Sequence, residues 1–356
     1  MSKQGDIAAL NEELRENDLV PNWDIIDRLE DRGEMAPHVW KWDYIAEYVE
    51  KANQLIDLDE HQQGTRRAMY LINPSEGVDG TSHTLWTAIQ SVLPNEVAKA
   101  HRHNLSAIRF VLDGTEGAVT SVNGEEFPMR TGDLILTPPG SYHDHINRGD
   151  EHVVWMDFLD ISLTEALNIS HFQNYENERH PADKPERYHN SRFDDLRPMD
   201  QHWSEYRSSP PYRYAWEDSY ETLQKADEQG WGETTFDGVC LEYVNPATGK
   251  GPTMPTFTHR LQKIRAGETT GSHRHISTEI VHVVDGSGRT EVGEETLEWE
   301  AGDTFIVPPG LWHAHQNPTD DEAIFFTTSD EPIFERLNLF WEETPEEPEQ
   351  SFDTYE

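Results

Sequence analysis

The 356-residue sequence predicts a mainly β protein, with two sandwich- or barrel-like domains behind an N-terminal helical arm. Two observations carry this. Short β-rich runs alternate with glycine and proline turns, which is the texture of an all-β domain. That texture occurs twice, with the same histidines in the same order, and a repeat at nearly constant spacing indicates duplication.

Taken in order, residues 1–75 read as the helical arm. In 43–58, Ile45, Tyr48, Val49, Ala52, Leu55 and Ile56 recur at helical spacing, with charge on the other face. Leu10 to Leu19 is a second, more acidic helix candidate. Residues 76–165 form the first β domain. Its runs Ile108 to Leu112, Gly117 to Val122 and Leu134 to Leu136 are punctuated by Gly114, Asn123-Gly124, Gly132 and Pro138-Pro139-Gly140. Residues 166–235 lose the pattern and read as a linker that packs on the domains, with a short helix around 218–227. Residues 236–335 form the second β domain. Residues 336–356 end in an acidic tail, expected to fray from Trp341 onward.

The repeat is specific. His101-Arg102-His103 is matched by His273-Arg274-His275, 172 residues on. Gly132-Asp133 is matched by Gly302-Asp303, and Pro138-Pro139-Gly140 by Pro308-Pro309-Gly310. His143-x-His145-x-Asn147 is matched by His313-x-His315-x-Asn317, 170 residues on.

Composition narrows the partners. The net charge is −40, which repels phosphate backbones and anionic membranes and excludes nucleic acid and lipid as natural partners. With 13 Phe, 11 Trp and 12 Tyr, the chain has the aromatics of a folded core. Only eight of its 28 basic residues are lysine. An acidic, lysine-poor, aromatic-rich chain looks like a folded protein from a high-salt cytoplasm, where screening makes self-repulsion tolerable. An ordinary acidic mesophilic enzyme is the alternative. Cys240 is the only cysteine, so neither an intrachain disulfide nor a Cys-based zinc cluster is possible. The first ten residues lack a secretory pattern, and no apolar run approaches the ~20 residues of a membrane span. A soluble, cytoplasmic protein is expected.

Residues two apart on a strand share a face, so His101 and His103 aim two imidazoles into one space. The turn-rich stretch 132–147 brings up His143 from another strand. Three converging imidazoles suit Fe, Cu, Zn, Ni or Mn. Counting on by parity puts residues 107 and 109 on the same face. Arg109 then points into the cavity and needs an anion, either a substrate carboxylate or an internal acid. His145 shares a face with His143 and is a candidate acid or base beyond the metal, or else a core imidazole.

These residues match the cupin family. Its second motif, G-x5-P-x-G-x2-H-x3-N, is met by Gly132 to Asn147 and again by Gly302 to Asn317. The resemblance implies a bicupin, two double-stranded β-helix (jelly-roll) barrels. Cupins usually carry a glutamate ligand where this chain has Ala107 in the first copy and Glu279 in the second. The first site then offers three histidines with positions free. The second offers His273, His275, Glu279 and His313, a possible non-catalytic metal site. Arg109 becomes Val281 there and Asp157 becomes Thr327, which puts the chemistry in the first barrel.

A wider pattern is more specific. Thr84 to Gln90 leads into Leu93-Pro94-x-Glu96-Val97-Ala98 and then His101-Arg102-His103. Tyr142-His143-Asp144-His145 leads to Trp155-Met156-Asp157-x3-Asp160. Trp40-Lys41-Trp42, Arg66-Arg67, Asn73-Pro74, Ser209-Pro210, Tyr214-x-Trp216 and Asn245-Pro246-x-Thr248-Gly249 complete it. Over about residues 37–335 the chain resembles the gentisate 1,2-dioxygenases and their salicylate and 1-hydroxy-2-naphthoate dioxygenase relatives.

The resemblance implies ring cleavage by O2 with non-haem Fe(II) held by His101, His103 and His143. Arg109 and one of Arg66 or Arg67 hold the substrate carboxylate, with an exposed arginine pair as the alternative for the latter two. The family can place a further arginine just upstream, where this chain has Gln62 and Gln63. Trp86 lines the ring pocket or simply packs in the core, and Ala88 is too small to be decisive alone. His145 and Asp157 act catalytically from beyond the metal, unless Asp157 is a structural acid. A hydroxybenzoate chelating through its carboxylate and adjacent phenolate cancels the +2 charge and leaves a position for O2. Gentisate would give maleylpyruvate, and a homotetramer is implied. Salicylate and 1-hydroxy-2-naphthoate remain as alternative substrates. A manganese bicupin decarboxylase would carry the glutamate in both barrels, and a non-enzymatic storage-like bicupin would have lost the histidines.

Overall fold

The computed structural model describes residues 3–24, 35–58, 66–193 and 209–346. The first β region folds into two facing antiparallel sheets. One runs in the order Tyr212–Tyr214, Leu134–Thr137, Ala107–Asp113, Val153–Leu159, Trp86–Val92, Arg67–Leu71. The other runs Phe172–Asn174, Val97–His103, His143–Asn147, Ala118–Val122, Glu125–Pro128. The second barrel repeats this. Its larger sheet runs His38–Trp40, Thr304–Val307, Glu279–Asp285, Ala323–Ser329, Thr258–Ile264, Gly238–Glu242, Glu233–Thr234. Facing it are Glu295–Glu300, Ser287–Val292 and His313–Gln316.

Alternation sorts the side chains of the larger sheets into two cores. In the first barrel Val111, Ile135, Val153 and Trp155 turn inward and meet Ala98, Val122 and Phe127. Their neighbours Ile108, Phe110, Met156 and Phe158 turn outward, onto Ile280, Ile306, Ile324 and Phe326 of the second barrel. Phe110 and Phe326 stack with centroids 4.1 Å apart. These strands are therefore apolar on both faces, which is why Ile108 to Leu112 reads as a run rather than an alternation. Each fully buried side chain of this size contributes about 1.5–3 kcal/mol to the union of the barrels.

The duplicated unit is larger than the two β regions, and it is swapped. The expected helices are present as Lys3–Glu16, Trp42–Leu55 and Trp216–Gln229. Residues 1–75 are nevertheless not a helical arm throughout, because His38–Trp40 and Arg67–Leu71 are strands. His38–Trp40 joins the second barrel by pairing with Thr304–Val307. Tyr212–Tyr214, in the expected linker, joins the first by pairing with Leu134–Thr137. Each strand leads into a helix whose first tryptophan covers the Gly-Asp turn of the barrel it has joined. Trp42 N–H donates to Asp303 at 2.8 Å and Trp216 N–H to Asp133 at 3.1 Å. Gly132 has φ +83°, and a Cβ there would lie 2.4 Å from the Trp216 ring. Gly302 stands likewise under Trp42. The two motifs Trp40-Lys41-Trp42 and Tyr214-x-Trp216 are thus one device used twice.

A second exchange ties the barrels. Asp160 ends the first barrel's Val153–Leu159 strand and accepts from Thr256 of the second at 2.6 Å. Asp330, its repeat, accepts from Thr84 of the first at 2.5 Å. The expected fraying from Trp341 is also corrected. Glu342–Glu343 pairs with Arg274–His275, and Glu343 is buried against Arg274. The tail 347–356 lies outside the described residues.

Candidate active site and its duplicate

His101 and His103 stand on Val97–His103, and His143 pairs with His101 from the neighbouring strand His143–Asn147. Ring centroids are 4.1 Å apart for His101 and His143, 4.9 Å for His103 and His143, and 5.4 Å for His101 and His103. One nitrogen of each lies within 4.8 Å of the others. The backbone chooses which nitrogen. His101 Nδ1 lies 3.2 Å from Lys99 O, His103 Nδ1 3.2 Å from Leu105 O, and His143 Nδ1 3.0 Å from Ser141 O. For His103 and His143 the carbonyl favours the Nδ1–H tautomer and leaves the Nε2 lone pair for the cavity, whereas the Arg66 guanidinium, a donor only, competes at both nitrogens of His101. His143 Nε2 is buried and has no hydrogen-bond partner. Burial, with Arg109 next, pulls His103 down to about 4. His143 is held well below the usual imidazole range, by burial first. Three neutral imidazoles converging on one point are a metal-binding set, and the residues fit such an ion.

Across the cavity stands the other sheet. The expectation that 101, 103, 107 and 109 share one strand face is corrected. Residues 101 and 103 lie on one sheet and 107 and 109 on the opposite one, joined by the turn 104–106. Arg109 faces the triangle rather than flanking it. Its Nε lies 3.3 Å from Asp157 Oδ1, and its Nη1 donates to Thr137. Asp157 is thus the anion that Arg109 was expected to need. Asp157 also accepts from Trp155 Nε1 at 2.9 Å, and burial raises its pKa.

The two adjacent arginines part company. Arg66 approaches His101, with Nη2 2.5 Å from Nδ1 and 3.1 Å from Nε2, and reaches Lys99 O at 3.3 Å. Arg67 points to the other side of its strand. It grips Glu96 with two bonds of 2.7 and 2.8 Å and caps Ile56 O. Arg67 as a substrate ligand is therefore corrected: it is a buried structural ion pair. Gln62 and Gln63 lie outside the described residues.

Trp86 stands on the cavity face, with Ala88 and Gln90 following it on that face of the strand. Its Nε1 donates to Ser162 at 2.8 Å and its ring meets Tyr70 edge-on at 4.9 Å. His145 is buried against Trp155, with Nδ1 2.9 Å from Thr120 Oγ1 and Nε2 without a partner. Burial, then Arg109 and Arg66, keep it neutral. Two cavity residues escaped the reading of the sequence. Gln90 presents an unpartnered Nε2. Counting two and four from Trp86 would have found it. Tyr70, opposite Ala88, could not be found without the register of its strand.

The second barrel holds the same triangle. His273 and His313 are 4.2 Å apart, His275 and His313 5.0 Å, and His273 and His275 5.4 Å. Its surroundings differ. Glu279 Oε1 accepts from Arg260 Nη1 at 2.7 Å and lies 3.7 Å from His275 Nε2. Arg260 stands opposite Thr327, as Ala88 stands opposite Asp157. An ion pair thus fills the second barrel at the two positions where the first has Ala88 and Ala107.

Fold and site define a bicupin with two imidazole triangles that could each hold a metal ion, the first of them facing Arg109. The cupin domain family matches residues 88–161 and 260–329. A gentisate 1,2-dioxygenase from Haloferax sp is 36% identical over 93% of this chain and 95% of its own. A 5-aminosalicylate 1,2-dioxygenase from Comamonas sp is 34% identical over 96% of this chain and 91% of its own. The crystal structure of salicylate 1,2-dioxygenase from Pseudoaminobacter salicylatoxidans with gentisate superposes with a TM-score of 0.87, at 31% identity, over 97% of this chain and 95% of that one. The chain belongs to the gentisate 1,2-dioxygenase family of ring-cleaving dioxygenases. Family and triangles together imply a metal cofactor. Among the described residues no helix is long and apolar enough to cross a membrane.

Proposed function

We propose that the protein opens gentisate to maleylpyruvate in the first barrel, with Fe(II) held by His101, His103 and His143. The carrying observation is the triangle of neutral imidazoles with Arg66 against His101 and Arg109 on the opposite sheet, where Ala88 and Ala107 stand in place of the second barrel's Arg260–Glu279 pair. Both atoms of O2 enter the product, so no external reductant is needed. When bound, the iron supplies the redox link between the electron-rich ring and O2.

The chain's own groups do the rest. Arg66 and Arg109 bring two positive charges against the single carboxylate of Asp157, so the cavity favours an anion. They bind the substrate carboxylate. Asp157 holds the Arg109 guanidinium in place. Trp86 and Tyr70 flank the ring at the mouth. His145 offers a lone pair at Nε2, since Nδ1–H donates to Thr120, whose hydroxyl donates on to Met129. It accepts a proton or hydrogen bond from a ring hydroxyl. The dry wall of Val111, Ile135 and Trp155 keeps water from the cavity floor.

Oxygen uptake after anaerobic Fe(II) loading tests the reading, with gentisate, salicylate and 1-hydroxy-2-naphthoate in parallel. Uptake with gentisate, and one maleylpyruvate formed per O2, is expected. Uptake with salicylate alone moves the protein to the salicylate dioxygenases. We also propose a cytoplasmic homotetramer adapted to high salt. Its support is the −40 charge with few lysines, and the exposed Leu10, Leu19, Val20 and Trp23 of the N-terminal segment. Light scattering reads the mass, and a melting temperature that does not rise from low to molar KCl removes the salt reading.

A further inference from the structure

We propose that the second barrel binds a divalent transition-metal ion as a structural site, and that this ion fastens the C-terminal segment 341–343 to the barrel through Glu342.

Three buried nitrogens converge there without a hydrogen-bond partner, Nε2 of His273, His275 and His313, and beside them Glu279 has an unpartnered Oε2 and an Oε1 that lies 3.7 Å from His275 Nε2. Orphaned polar atoms gathered in this way are costly unless something satisfies them. Their chemistry, three imidazoles and a carboxylate oxygen, is that of a first-row divalent cation. The triangle matches that of the first barrel to within 0.1 Å on each centroid distance.

The outer nitrogens carry the new information. His275 Nδ1 faces Ser277 O at 2.9 Å and His313 Nδ1 faces Leu311 O at 3.1 Å, as in the first barrel. His273 differs. Its Nδ1 lies 2.8 Å from Glu342 Oε1, a carboxylate on the C-terminal segment. A carboxylate behind a ligating imidazole fixes its tautomer and raises its basicity. The repeat shows that this is particular to the second barrel. Under the 170-residue offset, Glu342 corresponds to Phe172, which stacks on His101 at 4.9 Å.

The same segment is fastened around that bond. Ile276 N–H donates to Trp341 O at 3.2 Å, and Arg274 Nε donates to Glu343 at 2.5 Å. The Arg274 guanidinium also lies 5.8 Å from the Trp341 ring. Docking the segment therefore fixes the tautomer of one ligand, His273, and by reciprocity metal binding strengthens the docking. Substrate chemistry is excluded by the Arg260–Glu279 pair, which occupies the cavity, and by Arg260's further bond to Glu331. Val281 and Thr327 stand where Arg109 and Asp157 anchor the first site.

The test reads metal and segment, not turnover, so it is independent of the dioxygenase assignment. The full-length protein carrying His103→Ala, which disables the first triangle, is stripped of metal and titrated with Co(II). One Co(II) per chain is expected, with visible absorption bands of an imidazole-bound ion. Amide exchange at residues 341–343 should slow on loading. Adding Glu342→Gln should weaken Co(II) binding about 10- to 100-fold and cancel the slowing. Adding His275→Ala should abolish binding. Absence of Co(II) from His103→Ala protein with native circular dichroism overturns the site. Unchanged affinity and unchanged exchange in Glu342→Gln overturn the link to the segment. If His103→Ala does not fold, the otherwise unmutated protein is used. It should bind two Co(II) per chain and His275→Ala one; equal binding by both overturns the site.

Discussion

The two barrels carry the same imidazole triangle and differ in what stands across from it. In the first, Ala88 and Ala107 leave room, and Arg109, Asp157 and Gln90 line it. In the second, Arg260 and Glu279 occupy the equivalent places and neutralise each other. A metal site needs converging lone pairs; ring cleavage needs, in addition, space and an anchor for an anion. Duplication supplied two copies of the first requirement, and the pairing of two small residues in only one copy supplies the second. The position where cupins usually carry a glutamate ligand therefore does double duty. Alanine opens the first cavity, and Glu279 with Arg260 closes the second.

The largest effect expected from breaking this comparison is at the triangles. His143→Ala should remove metal from the first barrel and lower turnover by about a thousandfold or more. His313→Ala should leave turnover per first-site metal ion unchanged. Loss of turnover in a folded His313→Ala protein would return chemistry to both barrels.

The next effect sharpens the reciprocal ties between barrels. Asp330 is buried, and burial outweighs its bonds to Thr84 and Thr278, so its pKa rises from 3.8 to about 6. The native state then holds a proton that the unfolded chain has lost between those values. Stability contributed by the protonated group is complete below pH 3.8 and is lost as pH rises through 6. Against Asp330→Asn, the wild type should lose about 2 kcal/mol between pH 4 and 7. Denaturant melts across that range measure the difference, and parallel curves for the two proteins would refute it. Asp160, its counterpart, shifts in the same direction.

A smaller effect separates the paired inner histidines. His145→Ala should keep the first-site metal and lower kcat about a hundredfold. His315→Ala, whose Nδ1 meets Thr290 at 3.0 Å as His145 meets Thr120, should leave kcat unchanged. Equal metal loss in His145→Ala and His143→Ala would make His145 a ligand. Arg66→Gln should raise KM about tenfold with little change in melting temperature. Arg67→Gln should do the reverse, because it breaks the buried pair with Glu96.

Much of this was legible in the sequence because it is periodic or local. Two-residue spacing placed His101 with His103, and His143 with His145. The 170–172 offset exposed the duplication and its asymmetry at positions 107 and 279. What the sequence could not determine depends on partners distant along the chain. Arg66 and Arg67 are adjacent and chemically alike, and only the strand's register turns one to the cavity and the other to Glu96. Trp42 and Trp216 look like features of an arm and a linker until the swap sets each over a Gly-Asp turn of the barrel it has joined. Glu342 lies in an acidic stretch that local composition reads as solvated, and pairing with Arg274–His275 puts its carboxylate against His273. Spacing along a strand decides which face a side chain takes. Which element waits on that face is decided by long-range packing, whose free energy belongs to the whole assembly and not to any segment of it.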